Sequence, residues 1–193
     1  MTDLMRYAAA LQGASTERSL PPVERWDPPY CGEMDLVIRR DGVWVHEGTP
    51  IGRAPLVRLF STVLKREGER YYLVTPVEKL GVTVEDAPFV AVLMRVEGDG
   101  GDRRLVFTTN VGDEIAAGPD HAIAFQRNAD TGETTPYVHV RAGLWALVAR
   151  AVYYDLVALG ETRRTAEGER LGVTSGGMFF AFAPDATKGG SRQ

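Results

Sequence analysis

The chain has 193 residues, of which 44 % are apolar and 25 % charged, as in ordinary folded globular proteins, so global disorder is excluded. The formal net charge is −4. A surface with this charge lacks the basic field required by sequence-independent nucleic-acid binding and by docking on an anionic membrane. We therefore expect neither nucleic acid nor a membrane surface among the partners of this protein.

The cysteine content and the apolar segments indicate a compartment. Cys31 is the single cysteine, so no internal disulfide can form, and the chain suits a reducing environment. We interpret Cys31 as a packed loop residue rather than a reactive thiol. No window approaches the roughly 20 apolar residues of a membrane-spanning helix. The prediction is a soluble, cytoplasmic protein without membrane insertion.

The N-terminal elements come first in chain order. A short helix is predicted over Thr2–Gln12. Four prolines within Leu20–Gly32 disfavour regular structure and predict an extended arm, with Trp26 and Tyr30 as its anchors. Residues 1–34 are therefore predicted to form an N-terminal helix and a proline-rich arm.

The first α+β unit is predicted over residues 35–87. Asp35–Arg40 and Val43–His46 flank Asp41-Gly42, which is a strong signal for a two-residue hairpin turn. Apolar residues at helical spacing predict a helix over Arg53–Arg66, ended by Gly68. Arg70–Thr75 is aromatic and β-branched, which is typical of a strand.

A second unit is predicted over residues 88–185. Its nearly continuous apolar run at Phe89–Met94 indicates a strand buried on both faces. Apolar residues at helical spacing predict a long helix over Gly143–Leu159. The strands predicted for this unit are Pro88–Glu97, Arg103–Thr109, His121–Arg127, Pro136–Arg141 and Met178–Phe182.

Two internal similarities suggest a duplication. The segment that begins at Arg53-Ala54 is similar to the one that begins at Arg141-Ala142, with matching apolar positions downstream. Separately, Thr75-x-Val77 is similar to Thr109-x-Val111. Any amphipathic helix resembles another, so the first similarity is also compatible with unrelated segments.

Several segments together resemble the bacterial domain-of-unknown-function family 1285. They are Asp41–Trp44, Gly48–Ile51, Tyr71–Lys79, Val84–Phe89, Thr109–Asp113 and Pro136–Leu144. The resemblance covers about residues 28 to 183 and implies a duplicated α+β core. It also implies a pleckstrin-homology-like second half, in which a bent sheet is closed by a helix, and a role in signal transduction with a nucleotide-type ligand between the halves.

Familiar catalytic and metal-binding motifs are missing from the sequence. No two of the histidines His46, His121 and His139 are spaced as a helical or hairpin metal pair, and no cysteine cluster accompanies them. Neither a phosphate-binding loop nor a nucleophile elbow occurs. The small-residue loop Thr174–Gly177 fits an ordinary turn better than a ligand contact. We therefore predict no metal and no cofactor.

The leading hypothesis is a non-enzymatic ligand-binding or signal-transduction module that binds a nucleotide-type small molecule. Arginine suits phosphate, and tyrosine supplies a stacking surface. For Arg53 and Arg141, the alternative interpretation is structural ion pairing with a nearby acid. The candidate ligand-binding residues are Arg53, Tyr71, Tyr72, Glu78, Lys79, Asp86, Asn110, Asp113 and Arg141.

Two other functions stay open at this stage. An enzyme of unfamiliar type would use paired carboxylates such as Glu78 and Asp113, held near one substrate position. A protein-interaction module without a small-molecule ligand would recruit a protein partner through a sheet edge or the arm Leu20–Pro29.

Overall fold

The computed structural model describes residues 20–127, 132–166 and 168–182. The chain divides into two compact units, Met1–Pro88 and Phe89–Gln193. Within the described ranges, no helix has the length and apolar character needed to cross a membrane.

Three sequence-based predictions fall outside the described residues. They are the N-terminal helix Thr2–Gln12, most of the turn Asp130–Gly132, and the tail after Pro184.

Within its described residues, 20–88, the first unit contains one six-stranded sheet and one helix. Its strand order is β3-β2-β1-β6-β5-β4, in which β1 and β6 are parallel and all other neighbours are antiparallel. After a 3₁₀ turn, Val23–Arg25, the elements are β1 (Tyr30–Ile38), β2 (Trp44–His46), β3 (Thr49–Pro50), α1 (Ala54–Thr62), β4 (Leu64–Glu67), β5 (Arg70–Val74) and β6 (Lys79–Val84).

The predicted hairpin at Asp41-Gly42 is confirmed, but its loop has three residues, 40–42, rather than two. The Arg39 amide donates to the Val43 carbonyl across the turn at 2.9 Å, and Gly42 has a φ of 83°, a conformation that glycine adopts without strain. The prediction of an extended arm over Leu20–Gly32 is only partly right. The arm contains the 3₁₀ turn, and its end belongs to β1, where Tyr30 lies opposite Lys79 of β6.

The helix predicted over Arg53–Arg66 is too long, because α1 ends at Thr62. Leu64 is buried and lies opposite Leu73 in the antiparallel β4–β5 ladder. An apolar pair at positions 63 and 64 fits both a helical stripe and a strand start, so the periodicity could not separate them. Gly68, with a φ of 62°, forms the β4–β5 turn rather than a helix end.

The described part of the second unit contains a six-stranded sheet, a three-stranded sheet and one helix. The orders are β10-β11-β12-β7-β8-β9 and β13-β14-β15. The elements are β7 (Phe89–Glu97), a 3₁₀ turn (Gly100–Asp102), β8 (Arg104–Thr109), β9 (Glu114–Ala116), β10 (Ile123–Arg127), β11 (Thr134–Arg141), β12 (Leu144–Val148), α2 (Arg150–Ala158), β13 (Glu161–Thr165), β14 (Gly168–Ser175) and β15 (Met178–Ala181).

The helix predicted over Gly143–Leu159 is wrong in its first third. Ala142 and Gly143 have φ values of 44° and 73° and form a tight turn that returns the chain as β12. Burial then alternates along Leu144–Val148, as expected of a strand. Helix α2 begins only at Arg150 and packs against β7.

Burial on both faces of β7 is confirmed only for its start. Phe89, Val90 and Ala91 are buried, whereas Val92 and Leu93 are exposed. A β-bulge lies between Ala91 and Leu93, and such a bulge changes the direction of the side chains that follow.

The two units share one topology, so the predicted duplication is present in the fold. In each unit, the first three strands follow one another from the centre of the sheet to one edge, and the next three from the opposite edge back to the centre. The first and sixth strands therefore lie side by side, and they pair in parallel. The Arg-Ala similarity is nevertheless misleading, because Arg53-Ala54 begins helix α1 whereas Arg141-Ala142 enters a β-turn.

The threonine similarity reflects one kind of turn used twice. The buried Thr75 hydroxyl accepts the Glu78 amide at 3.1 Å, and the buried Thr109 hydroxyl accepts the Asp113 amide at 3.0 Å. The turns join β5 to β6 and β8 to β9, which are not matching positions in the shared topology.

Candidate functional site

The first unit carries a group of charged and aromatic side chains on one face of four adjacent strands. Across the sheet, Glu33 of β1 lies opposite Gly81 of β6, Gly81 opposite Tyr72 of β5, and Tyr72 opposite Lys65 of β4. Side chains directly opposite in a ladder share a face. The group, called here the charged aromatic face, consists of Tyr30, Glu33, Lys65, Glu67, Arg70, Tyr72 and Lys79.

Arg70 lies at the centre of this face. Its guanidinium carbon lies 5.6 Å from the centre of the Tyr30 ring and 5.3 Å from that of the Tyr72 ring. The two rings meet edge to face, with their centres 6.3 Å apart. Arg70 also donates to Glu33, whose carboxylate accepts the Tyr30 hydroxyl as well. A cation therefore contacts an edge-to-face pair of aromatic rings and is paired with one acid.

The Glu33 carboxylate lies directly over Gly81. A Cβ atom built at position 81 would overlap the Glu33 carboxyl group. The absent side chain of Gly81 thus makes room for the carboxylate that orients Arg70. The hydrogen bond to Glu33 raises the pKa of Tyr30, so this phenol stays protonated at neutral pH.

A second group of charges adjoins Tyr72. The Lys79 ammonium lies 5.1 Å from the centre of the Tyr72 ring and donates to Glu67 at 2.7 Å. Lys65 lies 3.2 Å from the other oxygen of Glu67 and donates to the Trp26 carbonyl at 3.1 Å. The hydrogen bond from Lys79 lowers the pKa of Glu67, against the opposing effect of burial.

The lowered pKa of Glu67 predicts a pH dependence of stability. A carboxyl group whose pKa is lower in the folded state stabilises the fold above its unfolded pKa of about 4.3, and that stabilisation is lost as the pH falls through the folded pKa. We expect the melting temperature to fall less between about pH 5 and pH 2 in Glu67→Gln than in the wild-type protein, as measured by circular dichroism. Equal slopes in the two proteins would show that Glu67 contributes nothing there.

Two of the predicted ligand-binding residues, Tyr72 and Lys79, belong to the charged aromatic face. Tyr71 does not, because successive side chains of a strand point to opposite faces. Instead, the Arg66 guanidinium lies 5.8 Å from the centre of the Tyr71 ring.

The other predicted residues of the first unit lie elsewhere. Asp86 lies 3.4 Å from the Arg40 guanidinium, beside the β1–β2 turn. Glu78 lies in the Thr75 turn, where its backbone pairs with Thr75. Arg53 is exposed immediately before α1.

The three predicted residues of the second unit lie near the start of β7. The Asn110 side chain accepts the Val90 amide at 3.0 Å, and the Asn110 backbone amide donates to the Val90 carbonyl at 2.8 Å. Arg141 donates to Asp113 at 2.7 Å, and its guanidinium lies 5.1 Å from the centre of the Phe89 ring. For Arg141, the structural ion pair that the sequence left as an alternative is therefore present.

Two of the histidines lie side by side, although their spacing in the sequence does not predict it. His121 and His139 stack with ring centres 5.9 Å apart, because the His139 amide pairs with the Ala122 carbonyl beside β10. Each ring contacts a backbone carbonyl through Nδ1, at 3.1 Å for His121 and 3.0 Å for His139. Over the described part of the chain, no group of three metal-ligating side chains occurs.

Most members of the charged aromatic face were not among the candidate residues predicted from the sequence. The missed members are Tyr30, Glu33, Lys65, Glu67 and Arg70. One signal was available: Arg70 and Tyr72 are two residues apart in a predicted strand, which places their side chains on the same face. The parallel pairing of β1 with β6 brings in Tyr30 and Glu33. Leu80, Val82 and Val84 alternate as in a strand, but no local pattern shows which strand β6 pairs with.

Fold and site define a two-unit α+β protein, rich in strands, with a charged aromatic face on its first unit. The chain belongs to the DUF1285 family. The family's N-terminal domain, a domain of unknown function, matches residues 21–87, and its C-terminal domain matches residues 88–182.

Two solved structures of the family are similar to this chain. A DUF1285 family protein from Silicibacter pomeroyi DSS-3 shares 47 % identity at a TM-score of 0.81, with 91 % of this chain and 93 % of that chain covered. One from Shewanella baltica OS155 shares 29 % identity at a TM-score of 0.50, with 65 % and 91 % covered. No curated protein matches the sequence.

Proposed function

We propose that this protein is a non-enzymatic ligand-binding module of signal transduction, and that its charged aromatic face binds a planar aromatic anion of the nucleotide type. The observation that carries the proposal is the position of the Arg70 guanidinium within cation–π distance of both the Tyr30 and the Tyr72 ring. This arrangement offers an exposed aromatic ring, that of Tyr30, and a cationic fork at one place.

Stability alone gives a weak reason for such an arrangement. The Arg70 and Glu33 side chains are 57 % and 56 % exposed. Exposed ion pairs contribute about 0–1 kcal/mol, and exposed cation–π contacts about 0.5–1 kcal/mol. Ordering the long Arg70 side chain costs entropy of similar size. The net gain to the fold is small, which favours a binding role for these groups.

The chemistry of the face suits both parts of a nucleotide. Tyr30, which is 48 % exposed, leaves ring surface on which a base can stack. Arg70 and Lys79 supply charge-assisted hydrogen bonds to a phosphate. Glu33 can accept a hydrogen bond from an exocyclic amine of the base. No covalent step is required of any of these groups.

The direct test is a thermal-shift and calorimetric screen against purine and pyrimidine nucleotides. A ligand present at 100 times its dissociation constant stabilises the folded state by about 2.7 kcal/mol, which raises the melting temperature measurably. Arg70→Gln is expected to weaken binding at least about tenfold, because it removes both the stacked cation and its fork of donors.

Arg66→Gln is the matched control. Arg66 also lies over a tyrosine ring, but on the opposite face of the same hairpin. The same change of charge there should leave nucleotide affinity within about twofold. Equal losses of nucleotide affinity in the two variants would show that binding depends on the net charge of the protein and not on the position of Arg70. Absence of any shift across the panel would contradict the proposal.

We also propose that the second unit is pleckstrin-homology-like. Support comes from the strand order, in which six strands are followed directly by helix α2, and from the packing of that helix against β7. The added sheet β13-β14-β15 extends beyond that plan.

A further inference from the structure

The three-stranded sheet of the second unit places two arginines side by side. Arg163 of β13 lies directly opposite Arg170 of β14, so both side chains leave the same face of the ladder. Like charges at directly opposite positions are destabilising. In the described part of this ladder, the same face carries the carboxylate of Glu161, which is also within reach of Arg103.

Glu161 is a weak partner for the guanidinium groups around it. Its Oε1 atom lies 3.5 Å from Arg163 and 3.8 Å from Arg103, both too long for good hydrogen bonds. The same oxygen accepts the hydroxyl of Thr174. Arg103 donates its Nε to the Thr174 carbonyl at 3.1 Å, which fixes the direction of its guanidinium. The terminal donors of Arg103 and Arg163 therefore converge on one carboxylate oxygen that binds neither of them closely.

An aromatic ring completes this face. The Arg163 guanidinium lies 5.3 Å from the centre of the Phe179 ring in β15. Gly172 makes room for that ring, because a Cβ atom at position 172 would lie 2.7 Å from it. The contact with the ring orders the Arg163 guanidinium near Glu161 without using its hydrogen-bond donors.

We propose that this face, formed by Arg103 and Arg163 around Thr174 and Phe179, is an oxyanion site that binds a phosphate group, with Arg170 adding positive charge on the same face of the ladder. Arginine forks suit the oxygens of a phosphate. Two converging guanidinium groups also favour a dianion over a monocarboxylate on charge alone. The site rests on different residues and a different sheet from the charged aromatic face, so it stands apart from the proposed function.

Glu161 sets the affinity of this site. Its carboxylate occupies the space to which the arginine donors point, and it repels an incoming anion. Glu161→Gln removes that charge but keeps an oxygen that can accept the Thr174 hydroxyl. The substitution should therefore strengthen phosphate binding, by about tenfold for a change of roughly 1.4 kcal/mol.

The experiment is a titration of the full chain with inorganic phosphate, followed by NMR through the amide shifts of β13, β14 and β15. Chloride at equal ionic strength controls for screening. Phenyl phosphate in a parallel titration tests whether the Phe179 ring takes part. Reading the shifts of these three strands separates this site from phosphate bound on the first unit.

Arg163→Gln should weaken phosphate binding at least about tenfold, because one charged hydrogen-bond donor group is lost. Arg164→Gln is the matched control, since Arg164 lies next in β13 but points to the other face, opposite Glu169. The phosphate affinity of the Arg164→Gln variant should stay within about twofold of the wild-type value.

The proposal is overturned if the two arginine variants weaken binding equally, if Glu161→Gln weakens it, or if phosphate leaves the β13–β15 shifts unchanged. Because Glu161→Gln is expected to act in the opposite direction to Arg163→Gln, a folding defect in one variant cannot produce the expected pair of results.

Discussion

Phe60→Ala is expected to lower the free energy of unfolding by about 3–5 kcal/mol, the range found for large aromatic residues in a packed core. Phe60 is fully buried and is the large apolar side chain that α1 contributes to the core. Its truncation removes apolar burial and leaves a cavity that the surrounding structure fills only in part. Urea denaturation at constant pH measures the change.

Arg58→Ala is the control within the same helix. Arg58 is exposed, so its replacement should change the free energy of unfolding by no more than about 0.5 kcal/mol. A loss below about 1 kcal/mol for Phe60→Ala would show that the position is not packed as described.

Ser175→Ala is expected to cost about 2–4 kcal/mol, although it removes a single oxygen atom. The Ser175 side chain is fully buried, accepts the Leu105 amide at 2.8 Å and donates to the Ala117 carbonyl at 2.7 Å. Both backbone groups lose this partner in the variant, and each unpaired buried group costs about 1–3 kcal/mol. This serine therefore ties β14 to β8 and to the chain after β9.

Thr62→Ala offers a comparison, because its hydroxyl donates to the Leu59 carbonyl one turn back in the same helix. Its loss should change the free energy of unfolding by about 0.5 kcal/mol or less. Similar small effects in both variants would show that water replaces the Ser175 hydroxyl.

Much of the strand pattern can be predicted from local sequence. Asp41-Gly42 sets the first hairpin, and alternating or β-branched segments locate β5, β8 and β11. Helices α1 and α2 are predicted in the right region but with wrong limits. At Leu64 and at Leu144–Val148, apolar spacing fits a helix and a strand equally well, and the decision comes from turn geometry and cross-strand pairing.

The candidate site is less accessible to sequence reasoning. Tyr72 and Lys79 can be identified by residue type, as an aromatic and a cation that suit a ligand, but the same criterion also selects Tyr71, which lies on the other face. Glu33 and Arg70 are 37 residues apart, and they meet only because β1 and β6 pair in parallel. No turn signal in the sequence predicts a parallel pair, because its two strands are joined by a long connection rather than by a short hairpin.

The most direct test of the account is to locate a bound nucleotide on the protein. An NMR titration with a purine nucleoside monophosphate is predicted to shift the signals of Tyr30, Arg70 and Tyr72 most strongly, and Arg70→Gln should abolish those shifts. Saturable shifts confined to other strands, or undiminished shifts in Arg70→Gln, would contradict the claim that this face is the binding site.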